Sequence, residues 1–163
     1  MITSKENLKI PEKHEFFAAD LFSEIKRYHL PNKAVIAFCG ESGSGKSVAT
    51  IALYNYLKGL GKKVITLHMD NYFHLPPLKN HKQRVLNINY VGKNEVDLKL
   101  LQEHINSFIK NDVSSTLPIL NKSGEEFYFH NVNFSNYEYL IVEGTYVYEL
   151  SNLDRKVFLD LDF

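Results

Sequence analysis

The chain has 163 residues, 44% hydrophobic and 23% charged, enough to bury a core without disulfides or metal staples, and the balance excludes wholesale disorder. Nineteen basic and nineteen acidic side chains cancel, which argues against general attraction to nucleic acid or an anionic membrane. The single cysteine, Cys39, excludes an internal disulfide and fits a reducing compartment. Residues 1–8 carry no apolar run of a signal peptide, and no stretch reaches the ~18–20 apolar residues that span a bilayer, so a cytoplasmic protein is expected.

In chain order, the periodicity predicts a helix over 12–28 behind Pro11, with Phe17, Leu21, Ile25 and Tyr28 at helical spacing and Pro31 as its stop. Residues 34–39 form a continuous apolar run, as expected of a parallel strand covered on both faces. A helix over 48–60 follows, with Ile51, Leu53, Tyr54, Leu57 and Leu60 inward and Gly61 ending it. A strand over 64–69 leads into a long polar stretch, 71–93, broken by Pro76-Pro77. The pattern then gives a helix over 97–110 and a hairpin of 117–120 with 126–132, turning at Ser123-Gly124. Strand-length runs at 139–142 and 156–161 close the chain. Strand and helix alternate without an internal repeat, low-complexity tract or linker, which predicts one α/β domain over 1–163.

Between the first strand and the second helix stands Gly40-Glu41-Ser42-Gly43-Ser44-Gly45-Lys46-Ser47, a full match to the phosphate-binding loop G-x-x-x-x-G-K-[ST]. The chemistry requires these residue types. Glycines let backbone N–H groups curl round an anion, and the following helix presents unpaired N–H groups and its positive end to the phosphates. Lys46 carries a mobile cation to the β- and γ-phosphates, and the Ser47 hydroxyl is placed to ligate Mg²⁺. A nucleoside triphosphate, ATP first, is the expected ligand.

Two carboxylates follow strand-length runs, at the edge of an open α/β sheet where ligands gather. Asp70 ends the second strand, where a carboxylate accepts a proton from an attacking hydroxyl or helps to hold Mg²⁺, and where it equally caps a turn. Glu143 ends Tyr139-Leu-Ile-Val142, a Walker-B type of arrangement that orients a metal or its waters.

With these residues in place, the chain resembles the uridine kinase and phosphoribulokinase group of P-loop kinases. The resemblance is carried by the P-loop, by His68-Met-Asp70-Asn-Tyr72-Phe and by Ile141-Val-Glu143-Gly144-Thr, with Leu117-Pro-Ile and Lys156-Val-Phe-Leu-Asp160 in the family's order. It implies a kinase-type three-layer α/β fold, with a central parallel sheet flanked by helices and the strands before Gly40 and Glu143 near its centre. It also implies transfer of the γ-phosphoryl group of ATP to a hydroxyl of a small-molecule acceptor. By that resemblance Asp70 is the general base, Lys46 and the loop amides hold the phosphates, Ser47 holds Mg²⁺, and Glu143 with Asp70 supports the metal.

On the acceptor side the candidates are Tyr72, Arg84 and Tyr90. Uridine kinases carry a ribose-binding Asp where this chain has Asn89-Tyr90-Val91-Gly92, and their Pro-x-Tyr-Asp becomes Pro118-Ile-Leu120-Asn121. Uridine and cytidine are therefore expected to be poor acceptors. The sequence stops at Phe163, ahead of the family's arginine-bearing lid, which leaves Lys79, Lys82 and Arg84 as the nearby cations. Two further readings stand beside the kinase. One is a regulatory or degenerate protein that binds ATP and transfers nothing. The other is an adenylylsulfate kinase, disfavoured because Phe73 occupies the place of its arginine. None of the seven histidines has metal-pair spacing, so core or solvated roles are expected, and Cys39 reads as an inert buried thiol.

Overall fold

The computed structural model describes residues 12–27 and 30–160; Pro11, Tyr28 and residues 161–163, at the ends of the expected first helix and last strand, lie outside them. In chain order the main elements are α1 (Glu12–Lys26), β1 (Ala34–Gly40), α2 (Lys46–Gly59), β2 (Val64–His68), α3 (Pro77–Leu86) and α4 (Leu98–Lys110). They are followed by β3 (Ser115–Leu120), β4 (Phe127–Val132), β5 (Tyr139–Glu143) and β6 (Arg155–Leu159). No described helix is long and apolar enough to cross a membrane.

Four strands form a parallel sheet in the order β2-β5-β1-β6, with the strands that end at Gly40 and Glu143 in the middle. Every residue of β1 is buried, which is why its sequence is a continuous apolar run and not an alternating one. The strand period of two still sorts its side chains. Val35, Ala37 and Cys39 join Ile65, Leu67, Leu140 and Val142 on one face, under Leu101, Ile105 and Phe108 of α4. Ile36 and Phe38 join Ile141 on the other, under Phe22 and Ile25 of α1 and Leu53 and Leu57 of α2. Each Val, Leu, Ile or Phe among them, fully buried, stabilises the fold by roughly 1.5–3 kcal/mol. Helices on both faces of a parallel sheet make the expected three layers.

The register fixes the functional edge. Glu143 of β5 pairs with Phe38 of β1 on one side and His68 of β2 on the other, so three strands end on nearly the same rung. The P-loop, the turn holding Asp70 and the Gly144 turn all leave the sheet together. Gly144 has φ +159°, and a Cβ there would collide with the Met69 side chain. Tyr146 N–H donates to Met69 Sδ at 3.4 Å, so the β2 and β5 turns are packed directly on one another.

The hairpin appears where the sequence predicts it, β3 pairing antiparallel with β4. Its Leu120 N–H donates to Asn71 Oδ1 at 3.1 Å, which ties the hairpin to the Asp70 turn. The polar stretch 71–93 contains a helix that periodicity does not announce. α3 starts with Pro at N1 yet exposes Leu78, Val85 and Leu86, and its buried residue is Asn80. It is held by polar bonds to Glu95, so the apolar-stripe criterion fails on it.

Candidate active site

The P-loop turns out of β1 and enters α2 through Gly45, whose left-handed φ of 88° places it as N-cap and permits the turn that aims the first amides of α2 outward. Lys46 is buried, and its Nζ donates to the Glu41 carbonyl across the loop. The Ser44 hydroxyl is shut off from solvent and has no hydrogen-bond partner among the described residues. A loop with an orphaned donor, a lysine resting on a backbone carbonyl and a helix N-terminus fits an anionic group in its concavity.

Ser47 Oγ donates to the Glu143 carboxylate, 3.3 Å from Oε1 and 3.2 Å from Oε2. The carboxylate also receives His68 Nδ1 at 2.8 Å, with both side chains only 5% exposed. Because a carboxylate only accepts, Nδ1 is the donor in this bond. His68 was not foreseen as a site residue. Its signal was its place, directly across from Glu143 at the end of an adjacent strand. Ser47 and Glu143 supply the oxygen donors that suit Mg²⁺. Among the described residues no three His, Cys, Asp or Glu side chains gather as a metal cage, so an ion held by Ser47 and Glu143 would need further oxygen ligands from phosphate or water.

Two cavities open along this edge. One, about 290 Å³, is lined by Ser42, Gly43, Gly45, Lys46 and Ser47 of the P-loop and Val48 after it, together with Asp70, Glu143, Gly144 and Thr145. The other, about 630 Å³, is walled by Glu41, Ser42 and Asp70, the apolar Met69, Phe73, Pro77 and Leu120, and Asn80, Arg84, Thr145 and Tyr146. Ser42, Asp70 and Thr145 line both. Asp70 is exposed, in the short 3₁₀ turn Met69–Tyr72 that follows β2.

The acceptor-side candidates divide. Arg84 lines the larger cavity, its guanidinium 5.8 Å from the Phe73 ring centroid. Tyr72 is a correction: its ring is buried and its hydroxyl bonds His104 Nδ1 at 2.8 Å, so it packs in the core. Burial pushes the Tyr72 hydroxyl pKa far up and lowers that of His104, so both stay neutral near pH 7. Phe73, the next residue, is the ring at the cavity wall. Tyr90 and Val91 line neither of these two cavities. Lys79 and Lys82 are exposed on α3 and also line neither.

Glu95, unannounced by any motif, organises this wall. It is 1% exposed and accepts from Arg84 Nε at 2.6 Å, from Gly92 N–H at 2.6 Å and from Asn80 Nδ2. Burial alone would raise its pKa, but the bonds from Arg84, Gly92 and Asn80 and the charge of Arg84 bring it below the usual carboxylate value.

The model of the phosphoribulokinase/uridine kinase family matches residues 35–163. The chain belongs to that family. A curated relative is the bifunctional alpha-galactosidase/sucrose kinase AgaSK of Mediterraneibacter gnavus, 27% identical over 158 residues. The match takes in 88% of this chain and 17% of that one, so the chain spans less than a fifth of this relative's length. Among solved structures, a possible uridine kinase from Bacillus stearothermophilus superposes with TM-score 0.68 at 21% identity, over 93% of this chain and 82% of that one. A protein put forward as a fructose transport system kinase from Silicibacter sp. TM1040 gives TM-score 0.68 at 18% identity, over 91% and 75%. These likenesses establish the P-loop kinase fold of the family.

Proposed function

We propose that this chain transfers the γ-phosphoryl group of ATP to a hydroxyl of a small molecule, and that it does so in the cytoplasm. The observation that carries the reading is the place of Asp70, on the wall shared by the P-loop cavity and the larger one. A carboxylate at that junction meets an acceptor hydroxyl on one side and the γ-phosphate on the other.

In this reading the P-loop amides and Lys46 hold the phosphates, Lys46 exchanging the Glu41 carbonyl for a phosphate oxygen. Ser47 and Glu143, with Asp70 nearby, would hold Mg²⁺, which when bound offsets charge on the β- and γ-phosphates. His68 keeps the Glu143 carboxylate oriented. Asp70 takes the proton of the acceptor hydroxyl as its oxygen bonds to the γ-phosphorus. The bond from that phosphorus to the β,γ-bridging oxygen breaks, and ADP leaves. The acceptor occupies the larger cavity, where Leu120 and Phe73 offer apolar surface. That wall suits a nucleoside less than a non-nucleoside alcohol, and the sucrose kinase portion of the curated relative's name points the same way.

The test is ADP release with saturating Mg·ATP across nucleosides, sugars, alditols and sugar phosphates. One class of alcohol is expected to be phosphorylated, with uridine and cytidine poor. No transfer to any alcohol would overturn the reading. Saturable turnover of uridine in the ~1 μM to 1 mM range usual for enzymes would return the acceptor to nucleosides.

A further inference from the structure

The wall of the larger cavity carries a buried polar group that the transfer step does not use. Asn80 is 4% exposed and lines the cavity from α3. Its Nδ2 donates to Glu95, and because a carboxylate cannot donate, the amide orientation is forced. Asn80 Oδ1 therefore faces away from Glu95, and it is buried with no hydrogen-bond partner among the described residues. Buried carbonyl oxygens are rarely left so, which makes Oδ1, closed to solvent in this structure, an acceptor that a ligand donor would satisfy once the wall opens around it.

The charges at the wall restrict what the donor belongs to. Of the three charged side chains that line the cavity, Glu41 and Asp70 are acids and Arg84 is the cation. Arg84 is already engaged through Nε with the buried Glu95 carboxylate. A phosphate ester, with a charge of about −1.5 to −2 near pH 7, would meet two acids and a cation that is already paired. A neutral polyol meets none of that opposition. Its hydroxyls can donate to Asn80 Oδ1 and accept from the rest of the Arg84 guanidinium, while its C–H faces lie on Phe73, Pro77 and Tyr146.

We propose that α3 is a polyol-recognition element, in which Asn80 Oδ1 and Arg84, both held in place by Glu95, bind an uncharged, polyhydroxylated acceptor such as an unphosphorylated sugar or alditol. The proposal rests on the larger cavity being the acceptor's. It assigns Asn80 and Arg84 to substrate binding and Glu95 to their positioning. It also predicts discrimination against the phosphorylated counterpart of the same sugar.

Calorimetric titration of the full chain, saturated with Mg²⁺ and a non-hydrolysable ATP analogue, tests this without requiring turnover. The probes are fructose, sucrose, ribitol, fructose 6-phosphate and uridine. At least one of the three neutral polyols should bind, and more tightly than fructose 6-phosphate or uridine. Asn80→Leu should weaken that binding at least tenfold while affinity for the nucleotide analogue stays within about twofold. Where Asn80→Leu fails to bind the analogue and so fails to fold, Arg84→Lys decides, with the same expected loss because the planar fork is gone. Tighter binding of fructose 6-phosphate or uridine, no binding of any polyol, or wild-type polyol affinity in the deciding variant would each overturn the proposal. A polyol that binds but is never phosphorylated with ATP would instead overturn the kinase reading and leave this one standing.

Discussion

The two cavities are built in opposite ways. The phosphate side is a local construction: six of its ten lining residues lie between Ser42 and Val48, in the P-loop and the start of α2, and three more are Glu143, Gly144 and Thr145 at the end of β5. The acceptor side gathers Glu41 from the P-loop, Met69 and Phe73 from the turn after β2, Asn80 and Arg84 from α3, Leu120 from the hairpin and Tyr146 from the turn after β5. The first recognises phosphate mainly with backbone amides, which any sequence supplying the right φ angles can offer. The second, which the proposed function gives to the acceptor, presents side chains whose placement depends on Glu95 and Asn71, residues that reach across separate segments.

The comparison can be broken at the junction first. Asp70→Asn keeps the shape and removes proton acceptance, so turnover should fall by ~10² to 10⁴ while ATP still binds. Stopped-flow ADP release beside nucleotide calorimetry reads both, and unchanged turnover removes Asp70 from the chemistry. On the phosphate side, Lys46→Ala should cost ~10² to 10³ in turnover, the scale of losing one preorganised contact to developing charge. Equal turnover and equal Mg·ATP affinity in folded wild type and variant would sink the P-loop assignment.

A smaller effect sharpens the metal end of the same side. His68→Phe removes the donor that orients Glu143, and the Mg²⁺ concentration for half-maximal activity should rise ~10- to 100-fold. A wild-type Mg²⁺ dependence would mean that Glu143 needs no such support.

The smallest effect belongs to the acceptor wall, and its readout is stability and pH. Glu95→Gln should destabilise the fold by ~1–3 kcal/mol in chemical denaturation at pH 7, because Arg84 loses its buried charge partner. The sign with pH follows from the lowered Glu95 pKa. Its stabilising contribution is present above the ordinary glutamate value of ~4.3 and is lost as pH falls through the lower folded value. The gap between wild type and Glu95→Gln should therefore narrow below about pH 4. A gap that stays constant from neutral to acid pH would show that the Glu95 charge contributes nothing.

What the sequence determined by itself is the phosphate side and the frame around it. Apolar runs too continuous for a half-exposed sheet implied strands buried on both faces, and Gly40 to Ser47 between a strand and a helix implied an anion-binding turn. Asp70 and Glu143 were legible as strand-end acids, since strand ends in a parallel sheet share an edge. These inferences work because their determinants are local: backbone conformation, short periods and fixed spacing.

Only the tertiary structure decided the rest. α3 has no apolar stripe because Asn80 and Arg84 anchor it to Glu95, 15 and 11 residues away along the chain, and no period encodes such a bond. Tyr72 and Phe73 are adjacent and chemically alike, yet one turns into the core to meet His104 and the other to the cavity wall. His68 gained a role solely because register sets it beside Glu143. Side-chain direction and long-range pairing follow from how the layers pack, and that is a property of the folded chain as a whole.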